Sequence, residues 1–107
     1  MLERDFQSAL IKELKILLPG CFILKNDPNY IQGFPDLLIL FETQWAALEC
    51  KRSAKVRQNP EPNQEYYVDE LDKLSFARFI YPENKEEVLR DLQSTFQLDR
   101  STCVSKR

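Results

Sequence analysis

A chain of 107 residues, 43% hydrophobic and 30% charged with a formal net charge of -2, is enough for one compact domain, 1–107, with one core, and gives nucleic acid no global attraction. It holds no histidine, which removes Ser-His and Cys-His nucleophile pairs and histidine-ligated metals together, so any catalysis rests on carboxylates and lysine. Three cysteines, Cys21, Cys50 and Cys103, without CxxC spacing argue against a disulfide framework and a zinc site, and the early charges with no long apolar run argue against a signal peptide or membrane span, so a cytoplasmic protein is expected.

Between Leu2 and Leu18, Phe6, Leu10, Leu14 and Leu17 recur at helical spacing, and Pro19-Gly20 ends the pattern; an amphipathic helix is expected, its stripe extended one turn by Glu3. Residues 21–25 read as a short strand and 26–35 as a turn-rich loop. Residues 36–41 and 45–51 read as two strands of a hairpin. After the Pro-rich connection 57–64, Gln64, Tyr67, Leu71 and Leu74 are expected on one face of a second helix, followed by a fourth strand over 76–81. Asn84 with Glu87 is a capping-box signal for a last helix burying Val88, Leu92 and Phe96, and the polar 99–107 are expected to fray. The expectation is an α/β (α+β) fold, α-β-β-β-α-β-α, with helices packed on one mixed four-stranded sheet.

The hairpin carries an unusual set of charges. Alternation along a strand puts Glu49 and Lys51 on one face, with Leu48 and Cys50 on the other. A turn about Glu42 and Thr43 places Asp36 opposite Glu49; a turn about Thr43 and Gln44 places it opposite Lys51, on the same face either way. Two neighbouring carboxylates repel by about 1–4 kcal/mol unless a cation lies between them. Hard oxygen ligands favour Mg²⁺ or Mn²⁺, and that chemistry is phosphodiester hydrolysis with Lys51 orienting water or neutralising developing charge. The competing reading is a turn-capping Asp36 and a surface pair Glu49–Lys51; against it stands the otherwise apolar character of both strands.

The sequence "GFPD" (33–36), the "LECK" (48–51) that brings Glu49 and Lys51, and Gln64 opening a helix resemble the PD-(D/E)XK nuclease superfamily, and within it the VRR-NUC group related to archaeal-type Holliday junction resolvases. The resemblance spans nearly the whole chain and implies a restriction-endonuclease-like αβββαβ core with an extra C-terminal helix. It also implies Asp36, Glu49 and the Cys50 backbone carbonyl as metal ligands, Lys51 as the catalytic lysine, Gln64 as a supporting catalytic residue and Glu3 as an additional acid at the metal. The hairpin turn lacks the glycine frequent in that family, and with no appended recognition domain the chain is similar to stand-alone phage and bacterial members acting on branched DNA in recombination and repair.

Beyond the cluster, the run 51–57 holds Lys51, Arg52, Lys55 and Arg57 with no acid, and reads either as a solvated loop or as a DNA-binding patch. Lys25 and Asn26 are further candidates for phosphate contact, whereas Tyr30, Trp45 and Tyr66 read as core or rim packing rather than base stacking. A homodimer is expected, because a four-way junction offers two cleavage points and one small chain one site; the last helix with Phe79 and Tyr81 is interface material or core. The alternatives are a non-catalytic DNA-binding module of the same fold and a nuclease of linear duplex.

Overall fold

The computed structural model describes residues 2–105, with side chains described as far as Phe96. The elements are α1 (Glu3–Leu17), β1 (Phe22–Lys25), β2 (Leu37–Phe41), β3 (Gln44–Cys50), α2 (Ala54–Arg57), α3 (Gln64–Leu74), β4 (Ala77–Ile80) and α4 (Lys85–Ser105). The strands form one open sheet in the order β1-β2-β3-β4, antiparallel between the first three and parallel between β3 and β4. No helix among the described residues is long and apolar enough to cross a membrane.

The register of the β2–β3 hairpin fixes which charged residues meet. Phe41 pairs with Gln44 and Leu37 with Leu48, so the turn is made by Glu42 and Thr43, with Glu42 supplying a left-handed residue at φ 56°. Of the two registers open to the sequence, this is the one that sets Asp36 against Glu49.

One face of the sheet is a dry core. Leu37, Ile39, Leu48, Cys50 and Ile80 are fully buried there against Phe6, Leu10 and Leu14 of α1 and Val88, Leu92 and Phe96 of α4. Each such side chain contributes about 1.5–3 kcal/mol by leaving water. The opposite face is only half roofed. Over β3 and β4, α3 packs Val68 onto Ala47, Ala77 and Phe79, with Trp45, Leu71 and Tyr81 around them. Over β1 and β2 the same face is open: the cross-strand neighbours Phe22 and Leu40 are 72% and 40% exposed and Leu24 is 47% exposed.

Several expectations need correction. The run 51–57 contains the helical turn α2, capped by Ser53, whose Oγ accepts the Val56 N–H at 3.2 Å. On α3 the buried face runs from Gln64 to Val68, and Leu74 is exposed because the helix ends at once, its Ser75 cap held by Ser75 Oγ donating to the Trp45 carbonyl. Asn84 precedes α4, but its side chain turns back to the sheet: Oδ1 accepts from Tyr81 N–H and Nδ2 donates to the Phe79 carbonyl. Phe79 and the apolar positions of α4 as far as Phe96 belong to the monomer core, so they offer no free interface. The fraying expected for 99–107 and the state of Cys103 lie outside the described side chains.

Candidate functional site

Asp36 immediately precedes β2, Glu49 is the penultimate residue of β3 and Lys51 follows its end. Because Leu37 pairs with Leu48, the next step of the register brings Asp36 to Glu49. Asp36 Oδ2 accepts the Cys50 N–H at 2.9 Å, which fixes the carboxylate across the strand ends. Lys51 Nζ lies 3.8 Å from Glu49 Oε2, and Gln64 Nε2 donates to that same oxygen at 3.1 Å. The Gln64 amide is itself oriented, since its Oε1 accepts the Glu61 N–H at 2.9 Å. Glu49, Lys51 and Gln64 are 3%, 5% and 7% exposed. With Glu3, Asp36, Glu61 and the 28–34 loop they line a cavity of about 530 Å³.

Burial of so many acids has an electrostatic consequence. Glu49 is pushed up to about 9, first by desolvation and then by the charge of Asp36, which the ammonium of Lys51 only partly offsets. Asp36 is also raised, again chiefly by desolvation, with the Cys50 N–H pulling the other way. Glu3, the first residue of α1, is raised by desolvation and by Asp36. Glu49 Oε1 is buried and receives no N–H, and the Asp36 and Glu49 carboxyls are hydrogen-bonded to each other, which keeps a proton on Glu49. Two buried carboxyls that share a proton are a position where a cation can take the proton's place, so the donor set fits Mg²⁺ or Mn²⁺. Among the described residues, however, no three His, Cys, Asp or Glu side chains form a group able to hold a metal ion. Glu3 lines the same cavity, and its charge is felt at Glu49. The Cys50 thiol faces the core, where burial raises it far above the ordinary thiol range, so its part at the site is confined to the backbone.

The outlying candidates are placed differently. Arg57 is committed to the fold: its guanidinium stacks 3.7 Å from the Phe79 ring centroid and pairs with Glu65 at 3.3 Å. Arg52 and Lys55 are exposed, and the positive charge of Arg52 is felt at Glu3. Lys25 is exposed at the end of β1, and Asn26 braces the next loop by donating Nδ2 to the Pro35 carbonyl at 2.6 Å; both line a second groove, of about 480 Å³. Of the aromatics expected to pack, Trp45 lies against the second cluster and Tyr66, 62% exposed, packs edge-on against Tyr67 at 5.3 Å, while Tyr30 is 84% exposed.

Two contributors carry no clear signal in the sequence. Glu61 lies in the Pro-rich connection, where no periodicity marks it. Gly33 stands in the "GFPD" stretch, and its role is steric: at φ 87° a Cβ there would lie 2.6 Å from the Pro62 carbonyl oxygen and 2.7 Å from Asn63 Cβ. That contact holds the loop before β2 against the turn that launches α3, where Asn63 is left-handed at φ 71° and Gln64 comes next. Comparison with protein-family models, curated proteins and solved structures finds no match to the chain.

Proposed function

We propose that this chain is a metal-dependent endonuclease of PD-(D/E)XK, VRR-NUC type that hydrolyses DNA phosphodiester bonds, with branched DNA such as Holliday junctions as its substrate. The observation that carries the reading is the buried Glu49 carboxyl, held against Asp36 with its pKa pushed up to about 9 and with Lys51 and Gln64 on its other oxygen. Nothing in a purely structural ion pair calls for the second acid.

Asp36 and Glu49, with the Cys50 carbonyl, would hold Mg²⁺, with Mn²⁺ able to substitute. When bound, the ion supplies Lewis acidity and the charge that both carboxylates lack. Lys51 brings a buried ammonium to the same cavity and neutralises charge developing on the phosphate. Gln64 fixes the Glu49 carboxylate by holding one of its oxygens. Arg52 and Lys55 remain outside to meet the DNA backbone, a contact that weakens with salt. A homodimer and a cytoplasmic location belong to the same proposal; the open apolar half of the sheet at Phe22, Leu24 and Leu40 is the surface on offer for a second copy.

The alternative is a non-catalytic DNA-binding module of the same fold, which needs only the exposed Arg52 and Lys55. Paired cleavage and binding titrations of wild type and Glu49→Gln, with Mg²⁺ and with Ca²⁺, separate the two. The nuclease reading expects the amide to lower cleavage by about two to three orders of magnitude, with metal-free affinity for branched DNA kept or raised. Undiminished cleavage by Glu49→Gln removes the metal-site assignment, and a wild type inert on four-way junction and linear duplex alike leaves the binding module. Preference for linear duplex would point to a restriction or repair type.

A further inference from the structure

The groove beside the carboxylate cavity has no role in that reading. It is lined by Lys25, Asn26, Asp27, Tyr30, Ile31 and Phe34, and Phe34 is also a wall of the cavity that holds Asp36, Glu49 and Lys51. The two spaces therefore share Phe34. Tyr30 presents its ring to solvent, 84% exposed, while Ile31 and Phe34 are half-buried and give the groove an apolar floor. Phe34 is held in place edge-on against Tyr67, ring centroids 5.3 Å apart. Asp27 is engaged locally, its Oδ1 accepting the Asn29 N–H at 2.9 Å, and this turn together with the Asn26 bond to the Pro35 carbonyl shapes the loop that carries Tyr30. Lys25 stands exposed at the mouth.

We infer that this groove is a nucleobase subsite, taking one unpaired base of a nucleic acid strand whose neighbouring phosphate lies at the carboxylate cavity. The inference rests on the nuclease reading for the phosphate and on the groove for the base. An exposed aromatic face, an apolar floor and one ammonium at the rim match the three parts of a nucleotide: a flat π-surface, its edge against apolar side chains, and a phosphate. The volume, about 480 Å³, admits a single base with its sugar. The shared wall Phe34 argues for a nucleotide over a peptide side chain on the nuclease reading, in which Lys51 and a divalent ion held by Asp36 and Glu49 would offset the acids of the adjoining cavity and hold a phosphate there. A base inside a duplex has both faces covered by its neighbours, so only an unpaired or splayed nucleotide can stack on Tyr30. The substrate class is thereby narrowed to DNA with a single-stranded segment or an opened branch point beside the cut.

The test uses the full chain and two DNAs, a blunt duplex and the same duplex carrying a short single-stranded thymidine overhang, titrated by fluorescence anisotropy in chelator. Wild type, Tyr30→Ala and Tyr30→Phe are compared. Tyr30→Ala is expected to weaken overhang binding by roughly tenfold, the size of one lost base stack, and to leave blunt-duplex binding unchanged, while Tyr30→Phe keeps the wild-type affinity because the ring and not the hydroxyl stacks. Equal losses on both DNAs, no loss on either, or a phenylalanine variant as weak as alanine each overturn the subsite. Cleavage of the same DNAs with Mg²⁺ separates this from the broader reading. Tyr30-dependent overhang binding without cleavage by wild type keeps the subsite and removes the nuclease, whereas cleavage with Tyr30→Ala indistinguishable from wild type in both assays keeps the nuclease and removes the subsite. Wild type that neither binds nor cleaves either DNA removes both.

Discussion

Over the second half of β3 the two faces of the sheet are buried to nearly the same degree and are opposite in energetic character. Leu48 and Glu49 are adjacent in β3, 0% and 3% exposed, yet the first meets only apolar neighbours and the second meets Asp36, Lys51 and Gln64. On the core face, loss of water is the stabilising event. On the site face the same loss of water raises the carboxyl pKa values, so burial there works against the ionised fold. Adjacent residues of one strand can thus hold the fold together and strain it, and the strained side is where chemistry is to be sought.

Substitutions in the core and in the loop that supports the site are expected to differ in size. Leu48→Ala should lower stability by about 2–5 kcal/mol, read as a shift in urea midpoint at unchanged slope, because it opens a cavity in a packed core. A loss under about 1 kcal/mol would mean that this face is looser than its burial implies. Gly33→Ala should cost about 1–3 kcal/mol through the left-handed backbone, with the collision at Pro62 and Asn63 added to it. It should also disturb the Gln64 amide, whose side-chain NMR resonance is the local readout. An unchanged resonance would show that the loop and the turn of α3 are set independently.

The pH dependence is the most diagnostic of the contrast. In chelator, Glu49 keeps its proton in the fold up to about pH 9 but loses it in the unfolded chain near 4.5. Between those values the folded state holds the extra proton, so its contribution to stability is complete below about 4.5 and is lost as pH rises through about 9. Asp36 and Glu3, both raised, act in the same direction. The slope attributable to one proton is at most about 1.4 kcal/mol per pH unit. Tm measured across this range should fall for wild type more steeply than for Glu49→Gln, and added Mg²⁺ should flatten the wild-type curve. A wild-type Tm that climbs with pH would contradict the assigned environment of Glu49.

The range of each interaction decides whether the chain alone reveals it. Strand alternation is a property of neighbouring residues, so the common face of Asp36, Glu49 and Lys51, the helix stripe Phe6-Leu10-Leu14 and the element order were all readable, apart from the single turn α2. The register was readable only to within two choices, and Glu42 in a left-handed conformation selected one. What spans distant segments was not readable from alternation or periodicity, and Gln64 came to the site only through the resemblance. Gln64 reaches Glu49 because Gly33 admits the Pro62-Asn63 turn, Arg57 leaves the basic run to stack on Phe79, and the groove under Tyr30 exists because the loop returns to Phe34. The open half of the sheet at Phe22, Leu24 and Leu40 was hidden for the same reason: periodicity says which side chains share a face, and only the packing of α3 on β3 and β4 says which part of that face is covered.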